Sequence, residues 1–154
     1  MKKLLLSLLG IAFGVSLMAQ SETISAGDIA LAKSSMTIER KAIFSQNMQL
    51  TETESNLFWP VFEEYETEKA QTFEQSLKNL VAISDNFEKM TDDKATEIIN
   101  NVLKNQQRDL KLLMKYQKKI SKLLGAKKAF RFVQIEEQIS AIKKVQVLEI
   151  PLVD

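Results

Sequence analysis

Through residues 28–148 apolar side chains recur every three to four positions and seldom alternate singly with polar ones. That is the period of helices, not of strands. Four runs stand out. Asp28 caps a first helix over 28–48, with Ile29, Met36, Ile43, Phe44 and Met48 as its buried side. In "LTETE", Thr51 and Glu54 have the spacing of a capping box, each side chain answering the other residue's amide, so a second helix covers 51–88. Its stripe is Leu57, Phe58, Val61, Phe62, Tyr65, Phe73, Leu77, Leu80 and Phe87. The stripe keeps phase across Pro60, so the helix bends there and continues. Pro60 removes a bond to the carbonyl of Asn56, and both residues fall on the outer face, where water can substitute. An interior proline costs about 3 kcal/mol, which several buried aromatics at roughly 1.5–3 kcal/mol each can offset.

"MTDDK" opens the third helix, 91–124, with Thr91 as cap and Asp92 and Asp93 in its first turn. One face carries Ile99, Val102, Leu110, Leu113, Ile120 and Leu124 with Gln106 and Gln117. The opposite face carries Lys104, Arg108, Lys111, Lys115, Lys118 and Lys122. Leu103 and Met114 lie on one flank, Leu112, Tyr116 and Leu123 on the other, so more apolar surface exists than one neighbour can cover. Gly125 stops this helix. A fourth covers 126–148 and offers Phe130, Val133, Ile135, Ile139, Ile142 and Val145 for burial. Pro151 keeps "EIPLVD" out of it, leaving a tail, 149–154, expected to dock in a groove of the same fold. The expectation is an all-α single domain, 28–154: four helices that include a long antiparallel hairpin.

Composition narrows the chemistry. The chain has no cysteine and no histidine, which removes disulfides, thiol nucleophiles, the usual general base and the soft or imidazole metal ligands. Four glycines and two prolines leave few turns for an all-β fold. No serine lies in a strained G-x-S-x-G turn, no glycine-rich phosphate loop is present, and no loop has the acidic, glycine-containing spacing of a calcium site. Neither an enzyme nor a cofactor is expected. Ahead of the helices, "MKK" precedes the apolar run "LLLSLLGIAFGVSLMA". That order is a secretory signal peptide over 1–19, too short for a membrane span, with 20–27 as a disordered lead. Export to the periplasm, with no membrane span after cleavage, is the expectation.

Net charge hides an asymmetry. Residues 52–97 hold 12 acids and 4 bases, whereas 98–154 hold 12 bases and 5 acids. Either the two segments pair within the fold or across a dimer, or a basic surface stays open for a partner. An exported chain near neutrality is not expected to bind nucleic acid. What remains is interaction with polypeptides, through spare apolar surface beside charged faces and adaptable methionines.

With that pattern in view, "LTETESNLFWPVFEEYE" and "LLMKYQKKISKLLGAKKAFRFVQIEEQ" resemble the two motif regions of the Spy/CpxP-like, LTxxQ-motif periplasmic proteins. The likeness is to the small forms labelled sensors of extracytoplasmic sigma factors. Leu50, Thr51, Phe58, Trp59, Pro60 and Tyr65 carry the first motif. Glu54 stands where that motif ends in Gln, Gly125 replaces Thr in the second, and the histidines of metal-sensing relatives are absent, so metal sensing does not carry over. The resemblance implies a cradle-like four-helix subunit, often paired as an antiparallel homodimer. It implies an ATP-independent chaperone (a holdase) that binds unfolded or misfolded envelope proteins, or else a dedicated partner of one membrane stress sensor or anti-sigma factor. On either reading the expected surface comprises Trp59, Phe62, Leu112, Met114, Tyr116 and Leu123, rimmed by Arg108, Lys111, Lys115, Lys118 and Lys122. Trp59 is open between a core plug and the rim of the cradle.

Overall fold

The computed structural model describes residues 26–147; the expected signal peptide, the lead to residue 25 and the tail lie outside them. Among the described residues there are four helices and no strand. They are α1 (Ala26–Asn47), α2 (Glu52–Asn86, closed by a 3-10 turn, Phe87–Lys89), α3 (Asp92–Leu124) and α4 (Ala126–Val147). The all-α class and the long α2–α3 hairpin are therefore as the sequence implies. Each helix packs on the next, and α4 returns to α1. The result is a four-membered ring in which α1 lies across the core from α3.

The starts and stops follow local chemistry. The Thr51 hydroxyl accepts from the Glu54 amide at 3.3 Å, and the Glu54 carboxylate accepts from the Thr51 amide at 2.8 Å. Thr91 accepts from the Lys94 amide at 3.3 Å. Gly125 ends α3 at φ 85°, a left-handed value suited to glycine. Gln49, between α1 and α2, holds φ 51° without that freedom. Lys128 Nζ donates to its carbonyl at 2.5 Å and Arg131 donates to its side-chain oxygen, so α4 fastens the turn. The second helix runs unbroken through Pro60, which is exposed, as is Asn56.

At one end of the bundle Phe44, Phe58, Phe62, Tyr65, Tyr116 and Phe132 form a nearly solvent-free aromatic core with Met48 and Ile120. Phe44 lies 4.7 Å from Phe62 and 5.4 Å from Phe132 between ring centroids, and Tyr65 lies 5.2 Å from both Tyr116 and Phe132. Towards the hairpin tip the core turns polar. Asn105 is buried and donates to the Thr72 carbonyl at 2.8 Å and the Ser76 hydroxyl at 2.9 Å. Asp109 receives Lys69 at 2.6 Å and Thr72 at 2.7 Å.

These polar layers turn α3 away from the orientation expected from its apolar residues alone. Its seam is Ile98, Val102, Asn105, Asp109, Leu112 and Tyr116, a run of three- and four-residue steps that are all buried or half-buried. Ile99 and Leu110, expected inside, are 55% and 58% exposed. Elsewhere Ile43, Leu57, Leu80, Phe87, Phe130 and Ile142, also expected inside, are exposed. On α1 the buried ridge is Met36, Arg40 and Phe44, continued by Met48 just past its end at the same four-residue step, which leaves Ile43 to solvent. On α4 it is Ala129, Phe132, Ile135 and Glu136, since Phe132 rather than Phe130 meets Phe44 and Tyr65. The side chains of Ile29 and Val145 lie outside the described set.

Candidate polypeptide-binding surface

The expected binding residues part into two groups. Phe62, Leu112 and Tyr116 are buried and belong to the core, a correction to their expected place on the surface. Trp59 is half-buried at the α1–α2 edge, edge-on to Phe58 and Phe62, with Lys41 Nζ 5.7 Å from its ring. It packs on the core and stays partly open to solvent. Ile38, Lys41, Ala42, Ser45 and Trp59 line a shallow groove of about 500 Å³ there. Met114 and Leu123 are 48% and 43% exposed, but they sit nine residues apart on different sides of α3.

Met114 has other companions. Ile99, Leu103, Leu110 and Met114 are all about half exposed or more, and steps of four, seven and four put them on one side of α3. The stripe is about 22 Å long at 1.5 Å per residue. Lys104, Lys111 and Lys118 follow one residue after Leu103, Leu110 and Gln117, so they border it along one side. Ile99, Leu103, Leu110 and Lys104 were not among the expected binding residues. The three- and four-residue steps from Ile98 to Tyr116 are the signal that would have placed them outward.

Part of the basic face is engaged inside the fold. Lys115 donates to Glu68 at 2.6 Å, and Lys119 donates to Glu64 at 2.5 Å. The Tyr116 hydroxyl also donates to Glu68, at 2.8 Å. Hydrogen bonds from Lys115 and Tyr116 hold the Glu68 carboxyl below its ordinary range. Burial and the same bond to Glu68 push the Tyr116 hydroxyl upward. Lys104, Arg108, Lys111, Lys118 and Lys122 have no ion-pair partner among the described residues. Arg108 and Lys111, with Glu68, Gln71, Thr72, Leu112 and Lys115, line a notch of about 220 Å³ between α2 and α3.

The other charged feature is internal. Arg40 on α1 is buried between Glu66 of α2 and Glu136 of α4. Its Nε donates to both Glu66 oxygens at 3.0 Å and its Nη2 to one of them at 2.8 Å. Nη1 donates to Glu136 at 3.3 Å, and Nη2 donates to the other Glu136 oxygen. Burial works against the guanidinium charge, but the two carboxylates outweigh it and hold Arg40 protonated beyond its usual range. For Glu66 burial prevails, and its carboxyl is raised even though Arg40 bonds to it, because one guanidinium serves two acids. The Tyr65 hydroxyl, also raised by burial and by Glu136, has no hydrogen-bond partner.

Among the described residues no three acidic side chains converge on a position that could hold a metal ion, and no helix is long and apolar enough to cross a membrane. The chain matches no family model, no curated protein and no solved structure.

Proposed function

We propose that this is an exported, ATP-independent polypeptide-binding protein of the bacterial envelope, which holds exposed apolar segments of unfolded or misfolded proteins. The observation that carries it is the stripe Ile99–Leu103–Leu110–Met114, apolar and open to water beside lysines without partners. Grouped apolar side chains at a surface mark interaction sites more often than chance exposure. Unpaired lysines along one edge speed encounter with acidic segments and orient them. The N-terminal pattern and the motif resemblance supply the compartment.

The test is aggregation suppression. The chain from Gln20, added in stoichiometric amount to an unrelated denatured protein, is expected to reduce its light scattering on dilution. Leu103→Ser, Leu110→Ser and Met114→Ser together should abolish that effect while leaving helicity intact, because all three side chains are already exposed. Unchanged suppression by the triple variant would remove the stripe as the site. No suppression by the native chain at several-fold excess would remove the holdase function altogether.

A further inference from the structure

The helix α1 is the least extensively packed of the four. It meets α2 and α4 through a single buried ridge, Met36, Arg40 and Phe44, continued by Met48 one residue past its end. On its other sides Leu31, Ile38 and Ile43 face water. Beneath that ridge the other helices form a trough. Phe58 and Phe62 on α2 and Phe132 on α4 line it at one end, and Glu66 and Glu136 stand on opposite walls farther along. A trough with apolar sites and acids on both walls matches a helix with apolar side chains at four-residue steps and one arginine among them. Amphipathic helices dock in grooves by such anchors. The resident helix leaves a defect: the Tyr65 hydroxyl, whose ring lies 5.8 Å from the Arg40 guanidinium carbon, is buried without a partner.

We infer that α2, α3 and α4 form a helix-accepting trough, that α1 is its resident occupant, and that amphipathic segments with an arginine four residues from bulky apolar neighbours compete with α1 for it. The pattern is apolar-x3-Arg-x3-apolar-x3-apolar, as Met36, Arg40, Phe44 and Met48 spell it. Charge decides the choice of partner. A segment carrying an acid in place of the arginine would set a third carboxylate against Glu66 and Glu136, and a neutral one would leave both without a cation. This site is separate from the exposed stripe on α3 and stands or falls independently of it.

Because the chain lacks cysteine, α1 can be locked selectively. Lys41 and Glu63 pair across α1 and α2 at 3.1 Å on the surface. Lys41→Cys with Glu63→Cys, joined by a short bis-maleimide, ties α1 down without entering the core. The probe is a fluorescein-labelled peptide of residues 30–48, titrated by anisotropy. Resident α1 competes at an effective concentration on the order of millimolar, so the native chain should bind the probe weakly. Met36→Ala, at the outer end of the ridge, should tighten binding about tenfold by loosening the resident. The bridged protein should not bind, and the probe carrying Arg40→Glu should bind none of them. Equal binding by bridged and unbridged protein would overturn the inference, as would Met36→Ala failing to bind the probe more tightly than the native chain. The unbridged cysteine variant controls for the substitutions themselves.

Discussion

Arg40→Ala is the most informative single change in this molecule. It leaves Glu66 and Glu136 facing each other, with side chains 5% and 6% exposed and no cation between them. Removing one partner of a buried ion pair costs about 3–5 kcal/mol, most of it from the charge left behind. The alternative is for α1 to lift and let water reach both acids. That would expose Met36, Phe44 and Met48, at about 1.5–3 kcal/mol each, or roughly 5–9 kcal/mol in all. Staying docked is the cheaper course, so the loss of about 3–5 kcal/mol is expected in full. At this chain length it lowers Tm by about 10–20 °C. Urea melts followed by the fluorescence of Trp59, the single tryptophan, measure it by linear extrapolation. The pH dependence supplies a second check. Burial already raises the Glu66 carboxyl above its ordinary value, and loss of Arg40 raises it further. A carboxyl whose folded pKa lies above its unfolded one destabilises the fold at high pH and ceases to do so as pH falls through the folded pKa. The deficit of Arg40→Ala should therefore shrink between pH 8 and pH 5, and Arg40→Met with Glu66→Gln and Glu136→Leu should recover most of it. A loss below about 1 kcal/mol at pH 8, or a deficit that grows in acid, would refute the reasoning.

Three further changes test other parts of the fold. Thr51→Ala removes the α2 cap and should cost about 1 kcal/mol in the same urea melts, without changing the slope against denaturant. Asn105→Leu removes two donated bonds, to the Thr72 carbonyl and the Ser76 hydroxyl, together with a buried Oδ1 that has no partner. It should cost about 1–3 kcal/mol, and unchanged or higher stability would show that the donated bonds add nothing to the packing of α2 on α3. Lys33 and Lys78 hold the Glu74 carboxyl down at about 2. A depressed carboxylate stabilises the fold above its unfolded pKa and loses that effect as pH falls towards the folded value. Lys33→Met should bring the Glu74 carboxyl resonance to titrate nearer the usual carboxylate range and move acid unfolding to higher pH.

The existence and order of the helices, and the caps of α2 and α3, were legible in the sequence because their signals are local; Asp28, expected to cap the first helix, lies instead inside α1, which begins at Ala26. Thr51 and Glu54, Thr91 and Gly125 act within one turn and do so in the structure. Phase across Pro60 was legible because the apolar residues on either side, Phe58, Val61, Phe62 and Tyr65, all reach the same core. The facing of α3 was not legible. Its seam is completed by Asn105 and Asp109, polar residues whose partners Thr72, Ser76 and Lys69 lie some thirty to forty positions away. Apolar periodicity cannot register a contact made by two polar side chains. The same blindness hid Arg40, Glu66 and Glu136, charged residues buried together between α1, α2 and α4. It also sent Phe62, Leu112 and Tyr116 to the expected binding surface, when the exposed apolar residues beside Met114 are Ile99, Leu103 and Leu110.

The charge asymmetry of the chain resolves into both of the alternatives it presented. Acids of α2 meet bases of α3 in the pairs Glu68–Lys115 and Glu64–Lys119, while Arg108, Lys111, Lys118 and Lys122 remain open. The two sets are not fixed. Side chains at the Glu68–Lys115 and Glu64–Lys119 pairs are between 42% and 57% exposed, and pairs so exposed contribute only about 0–1 kcal/mol. An acidic partner approaching α3 can therefore draw Lys115 and Lys119 away from α2 at small cost, so the basic face it meets is larger than the set of unpaired residues. Lys69 differs: its side chain is 13% exposed and its bond to Asp109 belongs to the polar seam, so recruiting it would open the hairpin. The basic surface of α3 thus runs from Lys104 to Lys122, and Lys69, held in the polar seam, lies outside it.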